Sequence, residues 1–431
     1  MNVLIYPRFD DQNQETTVKQ VLKIKKLSNG TTIVAEKIND VASAAIVIMI
    51  PTGSTVDPQG RSGAASVLSE LLFRGAGDLN NRALNEKLDS LGLQRGNAAS
   101  KLHMRFSVAL VADQLPETLS LFSDIIQKPH LNGEDFAACQ QLALQSLDAI
   151  EDDPRQKISL LTAGHFLPAP FTRPTIGIKS DIEALTCDEL ITHHKNSFTP
   201  NGAIISITGN IDCDAVIEQV EQLFGAWRGD SHQQHECVAT KSGMFHTQND
   251  GAQIHIGVMY PSVHCEDDAY YPSLLANGIL SGGMGSRLFT EVREKRALCY
   301  AVSASQQIIG PYGIVKGYLG STPQQAQEGL DVMLSVIENL GNDISKDELE
   351  RARIGLRANL IMAGESTSAR ASHAAGDIYH FDKVRSLERI EDQINCVTLD
   401  QVVNFAQTYI PRKISVCTLG PNSLKVDDKY I

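Results

Sequence analysis

The sequence lacks the closely spaced cysteine pairs that a disulfide scaffold or a small zinc module would require. Eight cysteines are scattered through 431 residues, and no two of them are separated by just two residues. Sparse cysteines in a long chain are typical of reduced thiols that pack as small apolar side chains. The sequence therefore predicts free structural cysteines in a reducing compartment.

Long apolar runs and an excess of positive charge are also missing. The longest apolar run, Ala44–Ile50, is far shorter than the roughly 20 residues that a membrane-spanning helix needs. Thirty-eight basic residues stand against 51 acidic ones, which gives a formal net charge of −13. A field of this sign repels nucleic acid and anionic membrane surfaces. We therefore expect no nucleic-acid partner and no membrane insertion.

The start of the sequence does not read as a targeting signal. Met1–Pro7 is apolar, but no cationic stretch precedes it and it leads directly into Arg8 and Asp10, unlike a signal peptide. The sequence as it stands predicts a cytoplasmic location. A periplasmic location would require that a leader has been removed from the N-terminus.

The chain contains an internal duplication. Thr186 and Thr398 lie 212 residues apart, and each stands as the N-cap of an amphipathic helix that leads to a β-branched strand ending at glycine. Upstream, the loop at 131–136 aligns with the loop at 344–349, and each loop feeds a long helix. Ordered matches at nearly one spacing indicate two homologous halves.

The duplication defines the predicted domains. The strand Ala44–Ile50 has its counterpart in Gln253–Tyr260, at nearly the same offset. The segment 230–251 is polar and rich in His, Gln, Ser and Gly, which is typical of a linker. We predict an N-terminal domain over 20–229, a linker over 230–251 and a C-terminal domain over 252–431.

The secondary-structure signals favour an α+β fold class. Short β-branched runs such as Thr31–Glu36 and Arg105–Val111 alternate with longer helical stretches, and several strands follow one another before the helices begin. This order predicts that each domain is a mixed, mostly antiparallel sheet with helices packed on one face. A doubly wound parallel sheet fits the order less well.

Two motifs carry a family resemblance. Gly63–Gly75 resembles the signature helix of the M16 (insulinase or pitrilysin-like) zinc peptidases, usually Gly-Leu-Ala-His-x-x-Glu-His-Met-Leu-Phe-Lys-Gly. Ser281–Tyr300 resembles the motif of the second half, and Glu151–Pro154 resembles the close of the helix that brings the last zinc ligand. The resemblance covers nearly all of 20–425. It implies the LuxS/MPP-like metallohydrolase fold and the short two-domain subfamily that works as dimers.

The zinc ligands of that family are missing here. In the family, two histidines on one helix face and a distant glutamate hold Zn²⁺, and a glutamate before the second histidine polarises the bound water. The resemblance puts Ser66 and Glu70 at the histidine positions, Ser69 at the general-base position and Ser146 at the last ligand. Serine hydroxyls are poor zinc ligands. We therefore expect no metal in this chain and little hydrolase activity from it alone.

Other candidate ligands are weaker. His193 and His194 are adjacent, so their side chains diverge on a helix. The predicted linker has suitable ligand types without a rigid frame, in His232, His235 and Cys237, with His246 nearby. A Ser-His-Asp triad stays open from the sequence, although no Gly-x-Ser-x-Gly elbow is present.

The second-half motif is retained. The resemblance implies that Arg293 and Tyr300 reach toward the substrate, where a guanidinium and a phenol hydroxyl donate hydrogen bonds to carbonyls and to a developing oxyanion. The alternative is that Arg293 pairs with a nearby carboxylate and Tyr300 is an ordinary strand aromatic. The glycine-rich loop predicts close backbone packing rather than a phosphate cradle, at Gly282, Gly283 and Gly285.

The pattern is similar to one half of a split enzyme. It implies a non-catalytic, substrate-binding subunit of a peptide-cleaving dimer that supplies Arg293 and Tyr300 to a zinc-bearing partner. The zinc is expected in that partner subunit, and the dimer is either a heterodimer with a zinc-bearing homologue or a homodimer. One alternative is a non-proteolytic binding or assembly protein of the same fold. A second alternative is an autonomous metallopeptidase with an atypical site.

Overall fold

The structure is a computed structural model that describes residues 3–4, 21–229 and 238–431. It forms two compact units, and each unit combines segments from both halves of the sequence. The first unit consists of the described residues within Met1–Leu147, Arg173–Gln234 and Met362–Ser386. The second unit consists of those within Asp148–Thr172, His235–Ile361 and Leu387–Ile431.

Strands and helices alternate along the described part of the chain. The strands are β1 (Val3–Leu4), β2 (Val21–Lys26), β3 (Thr32–Lys37), β4 (Ser43–Ile50), β5 (Gly75–Ala76), β6 (Leu79–Asn80), β7 (Gln94–Ala99), β8 (Met104–Val111), β9 (Ile204–Gly209), β10 (Gly243–Gln248), β11 (Ile254–Ser262), β12 (Ala301–Ile309), β13 (Tyr312–Ser321) and β14 (Ser415–Gly420). The helices are α1 (Ala64–Leu71), α2 (Asn81–Ser90), α3 (Leu115–Gln127), α4 (Gly133–Glu151), α5 (Pro154–Phe166), α6 (Lys179–Glu183), α7 (Cys187–Ser197), α8 (Cys213–Phe224), α9 (Tyr270–Ser281), α10 (Ala326–Glu338), α11 (Lys346–Gly364), α12 (Thr367–Phe381), α13 (Leu387–Cys396) and α14 (Leu399–Thr408).

Each unit is built on a mixed sheet. The sheet of the first unit has the order β1-β2-β3-β9-β4-β8-β7, with a parallel pair at β3 and β9. The sheet of the second unit has the order β10-β14-β11-β13-β12, with a parallel pair at β10 and β14. The other described pairs in both sheets are antiparallel. The predicted α+β fold class is confirmed.

The two sequence halves repeat the same local structure. Thr186 and Thr398 each form a capping box, with Glu189 and Gln401 as the third helical residues, so both predicted N-caps are confirmed. The strands that follow, β9 and β14, are buried at every residue, as is typical of strands covered on both faces.

A helix from the opposite sequence half covers the second face of each sheet. In the first unit, α12 packs its alanines and Ile378 against Val34, Ala45 and Val47. In the second unit, Ile158 of α5 packs against Cys417 and Leu419 of β14. The sequence predicted helices on one face of each sheet only. The helix on the second face was not predicted. The boundaries 20–229 and 252–431 stay predictions about the sequence halves.

Part of the predicted linker is a strand. Gly243–Gln248 forms β10 and pairs in parallel with β14, because its backbone completes an edge that β14 would otherwise expose. The linker prediction is therefore wrong for 243–248. His246 belongs to this strand, and its ring lies 2.9 Å from the Thr418 hydroxyl. Residues 230–237, with His232, His235 and Cys237, lie outside the described residues.

Two further expectations can be compared with the described residues. Seven cysteines there are free thiols, and burial raises the pKa of Cys213 and Cys417 to about 11. None of the helices in the described part of the chain has the length and apolarity that crossing a membrane requires.

An ion pair lies beneath α12. Glu36 of β3 is 3% exposed, and the Arg370 guanidinium of α12 donates through Nε and Nη2 to the same carboxylate oxygen. The Thr208 hydroxyl lies 3.5 Å from the other oxygen. Because the pair is largely removed from water, the loss of one partner costs more free energy than the loss of a surface ion pair.

Arg370→Met should lower the free energy of unfolding by about 3 kcal/mol, because it leaves the Glu36 carboxylate buried beside an apolar side chain. Denaturant titration measures this change, and the exposed Arg412→Met is the matched control, with an expected change within about 0.5 kcal/mol. The double variant with Glu36→Gln should recover part of the loss. Equal stability of Arg370→Met and Arg412→Met would contradict this account.

Candidate functional site

The helix that carries the degenerate zinc motif begins at a glycine with a positive φ. Gly63 has φ +107°, and an added Cβ would lie 2.8 Å from the Cα of Gly177, so only glycine fits there. The Asp57 carboxylate accepts hydrogen bonds from the backbone N–H groups of Gly63 at 2.7 Å and Ala65 at 2.8 Å. Asp57 therefore satisfies the free N–H groups at the start of α1.

The motif positions of α1 make local hydrogen bonds. Ser66 is half-buried, Ser69 is buried and Glu70 is exposed. The Ser69 hydroxyl donates to the Ser66 carbonyl at 2.8 Å. The side-chain amide of Asn97, on β7, donates to the Ser69 carbonyl at 2.9 Å and lies 3.4 Å from a Glu70 carboxylate oxygen. These contacts attach α1 to the neighbouring strand.

The residues at these positions do not fit zinc. Ser146 is exposed on α4, and its hydroxyl donates to the Leu142 carbonyl at 2.9 Å. Glu70 is the one carboxylate of the four, whereas zinc requires a set of nitrogen, thiolate or carboxylate ligands. Among the described residues, no group of three or more His, Cys, Asp or Glu side chains that could hold a metal includes any of these positions.

The glycine-rich loop is close-packed at one of its three glycines. The N–H of Gly282 donates to the Gly278 carbonyl at 2.7 Å, and an added Cβ would lie 2.4 Å from that oxygen. An added Cβ at Gly283 would meet nothing within 4 Å, and one at Gly285 would meet the Arg351 side chain at 3.8 Å. The packing interpretation is therefore wrong for Gly283 and Gly285, which line an open cavity of 240 Å³.

Arg293 and Tyr300 are both exposed in the second unit. Arg293 lies on a π-helical turn, Phe289–Glu294, and its guanidinium lies 5.0 Å from the centre of the Phe289 ring. No described carboxylate forms an ion pair with it, so the alternative pairing is not observed. Tyr300 is 63% exposed and stands just before β12, where its N–H donates to the Gly320 carbonyl at 2.9 Å.

Backbone hydrogen bonds hold the two motif residues near each other. The N–H groups of Ala297 and Leu298 donate to the carbonyls of Arg293 and Val292, both at 3.0 Å. Burial raises the pKa of the Cys299 thiol, which precedes Tyr300, and the positive charge of Arg293 opposes that rise. The π-helical turn and the start of β12 therefore bring the two side chains to the same region of the second unit.

The exposed edge of the first sheet is β7. Its residues are exposed or half-buried, and it hydrogen-bonds to β8 alone among the described strands. The strand predicted at Arg105–Val111 lies inside the sheet as β8, between β4 and β7. The edge therefore lies next to α1 and the degenerate zinc motif, where Asn97 connects them.

A buried acid and base lie behind α1, and the sequence did not predict this pair. His193 lies with Nε2 4.0 Å from an Asp57 carboxylate oxygen, and both side chains are almost fully buried. Burial raises the pKa of Asp57 to about 6 and lowers that of His193 to about 4. His194 instead faces the Ile126 carbonyl at 2.9 Å, so the two histidines diverge as expected. Asp57 has no motif signal in a single sequence.

Family models identify the class of protein. The model described as Insulinase (Peptidase family M16) matches residues 32–173, and the model described as Peptidase M16 inactive domain matches residues 184–356. The matches fall in the two sequence halves in the order expected from the duplication. The chain belongs to the M16 peptidase family and has its two-domain organisation.

Individual relatives and structures agree with this assignment. An uncharacterized zinc protease of Mycobacterium bovis is 26% identical over 414 residues, which cover 93% of each chain. An uncharacterized zinc protease of Bacillus subtilis is 23% identical over 409 residues, covering 93% of this chain and 99% of that protein. A peptidase M16 inactive domain from Pseudomonas fluorescens has a TM-score of 0.84 at 21% identity, covering 94% and 99% of the two chains. A Helicobacter pylori protease has the same TM-score at 17% identity, covering 92% and 99%.

The pKa of His193 predicts acid-dependent stability. Its folded value of about 4 lies below the ordinary 6.5, so the unfolded chain binds the proton more readily and stability is lost as pH falls from 6.5 toward 4. Between pH 7 and 4.5, the free energy of unfolding of His193→Gln should therefore fall by about 2 kcal/mol less than that of the wild type. Denaturant titrations at the two pH values measure it.

The exposed His130→Gln is the matched control and should follow the wild-type pH dependence. Asp57 has the opposite sign, since its raised pKa favours the folded state as pH falls below 6. The comparison must therefore be made between variants that keep Asp57. Parallel pH dependence of His193→Gln and the wild type would contradict the assignment.

Glu70→Gln should leave the zinc content of the tag-free chain unchanged, because among the described residues Glu70 belongs to no group of three His, Cys, Asp or Glu side chains that could hold a metal. A chelator should likewise leave the thermal unfolding midpoint where it is. Elemental analysis and thermal unfolding measure the two quantities, with Glu134→Gln as an exposed control. Stoichiometric zinc that disappears in Glu70→Gln alone would show that α1 still holds a metal.

Proposed function

We propose that this chain is the non-catalytic, substrate-binding subunit of a dimeric M16-type zinc peptidase that cleaves peptides. In that dimer it supplies Arg293 and Tyr300 to the active site of a zinc-bearing partner. One observation carries the proposal: donor side chains suited to substrate are exposed and available, while the chain's own motif helix has no ligand set. A subunit with this combination can orient a substrate but cannot activate water by a metal.

The chemistry of the two side chains suits this role. A guanidinium offers several N–H donors in a fixed plane, and its position over the Phe289 ring restricts its orientation. A phenol hydroxyl donates a single hydrogen bond, which can follow a carbonyl oxygen as it gains negative charge. Arg293 and Tyr300 would thus hold the substrate backbone and stabilise the tetrahedral oxyanion. The metal chemistry belongs to the partner.

The exposed edge of β7 is a suitable support for an extended peptide. An edge strand presents unpaired backbone N–H and C=O groups, and a peptide can add to them as a further strand. Gly96 and Ala98 give β7 a small surface on one side. Recognition through the backbone would make the subunit tolerant of side chains and selective for unfolded peptides.

The partner is proposed to be a zinc-bearing M16 homologue in a heterodimer, with self-association as the alternative. The β7 edge also favours a second function, a binding or assembly protein that holds peptides without cleavage. The two functions differ in one respect: only the first makes the rate of cleavage depend on Arg293 and Tyr300. An autonomous peptidase would instead cleave without any partner.

Arg293→Ala and Tyr300→Phe should each lower kcat of the mixed enzyme by about tenfold or more, because each removes a donor to the transition state. The measurement is cleavage of a quenched fluorescent peptide by this chain mixed with the zinc-bearing homologue encoded nearest to it. Arg412→Ala and Tyr409→Phe are the matched controls on the same unit. Both controls should keep the wild-type rate.

Each result decides between the functions. Cleavage by the mixture alone, reduced by the two motif variants and not by the controls, supports the split enzyme. Complex formation without any effect of the motif variants on cleavage favours the binding protein. Chelator-sensitive cleavage by this chain alone would favour the autonomous peptidase.

A further inference from the structure

A polar cavity lies in the second unit, between α5 and the face of the sheet. Its volume is 160 Å³, well above the roughly 10–15 Å³ that a single water molecule needs. Two of its walls are strands β12 and β13, and the third is α5. Its polar lining consists of Arg155, Ser159, Thr162, Ser303, Ser305, Gln307, Lys316 and Tyr318.

The described lining of the cavity includes two cations, Arg155 and Lys316, and no carboxylate. Lys316 donates to the Ser159 hydroxyl, and the Arg155 guanidinium lies 4.8 Å from the centre of the Tyr318 ring. Neither cation forms an ion pair with any described carboxylate. Burial lowers the pKa of Lys316, and the positive charge of Arg155 lowers it further. The two positive charges repel each other in this half-buried cavity, and an anion bound between them would relieve that repulsion.

The nearest acidic group is already engaged. Asp153 caps α5, and its carboxylate accepts hydrogen bonds from the N–H groups of Arg155 at 3.1 Å and Gln156 at 3.0 Å. The Tyr318 hydroxyl lies 2.9 Å from Nδ1 of His255. The cavity lies along one side of α5, where Arg155, Ser159 and Thr162 line it.

The duplication provides an internal comparison. The first unit has the same framework, with Arg105 of β8 donating to Ser372 of α12, as Lys316 of β13 donates to Ser159 of α5. On the neighbouring strand of the second unit, Ser305 is paired with Lys316 and Ser303 with Tyr318. In the first unit the corresponding pairs have Ala98 and Gly96 in place of the serines. The fold therefore does not require the hydroxyls.

The cavity also lies near Tyr300 of the motif. The Tyr300 N–H donates to the Gly320 carbonyl at 2.9 Å, and an added Cβ at Gly320 would lie 2.7 Å from the hydroxyl of Tyr318, which lines the cavity. An acidic group of a peptide held by the motif would thus have a basic cavity within reach.

We propose that this cavity binds an anionic group between Arg155 and Lys316, with the hydroxyls of Ser303 and Ser305 and the amide of Gln307 as further donors. A carboxylate or phosphate matches these donors, since each oxygen accepts several hydrogen bonds. The anion is either an acidic side chain of a bound peptide or a free small anion. Its use in cleavage rests on the proposed function, whereas anion binding itself does not.

The test is calorimetric titration of the full tag-free chain, without any partner and without cleavage. The probes are inorganic phosphate and a capped peptide containing one glutamate, compared with the same peptide containing glutamine. The glutamate peptide should bind roughly tenfold tighter than its glutamine form. Lys316→Met should abolish this preference, and the exposed Lys413→Met should keep it.

Ser305→Ala is a second variant, at an exposed position, and should weaken the preference for the glutamate peptide severalfold. It keeps the proposal testable if Lys316→Met does not fold. A preference for glutamate that depends on Lys316 supports a peptide acid as the source. Phosphate binding that depends on Lys316, together with equal affinity for the two peptides, supports the proposed site and indicates that its ligand is a free small anion. If neither probe responds to Lys316→Met, the proposal is overturned. Failure of the mixed-enzyme assay leaves these results unaffected.

Discussion

The burial of the second face of each sheet is the constraint on which the rest of the structure depends. Strands such as β9 and β14 are buried at every residue, and an uncovered apolar face would cost roughly 25 cal/mol for each Å² left in water. In each unit, the helices of one sequence half cover only one face of the sheet. The remaining face is covered by α12 in the first unit and by α5 in the second. Neither sequence half is therefore a complete folding unit.

This constraint also arranges the polar groups. Both covering helices place a serine over a basic residue of the sheet, Ser372 over Arg105 and Ser159 over Lys316. In the first unit the covering helix also neutralises Glu36 through Arg370. Among the described residues, the second unit has no corresponding ion pair at its cavity, so its cations are left for a ligand. The duplication thus keeps the framework while the two units differ in chemistry.

Sequence reasoning succeeded where signals are local. The capping threonines and the order of strands and helices depend on residues close together in the chain, and these features predicted the fold class. The cover by α12 and α5 could not be predicted, because it depends on contacts between segments that lie far apart. The strand β10 was missed because a polar, glycine-containing segment can complete a sheet edge without an apolar pattern. Asp57 was missed because its role is to satisfy backbone N–H groups, which leaves no motif.

The central claim is that this chain completes an active site that lies in another subunit. The most direct measurement titrates it into a fixed concentration of the zinc-bearing homologue while the initial rate of peptide cleavage is followed. The account predicts a rate that rises in proportion to the added chain and levels off at an equimolar mixture. A rate that does not depend on the added chain would contradict it.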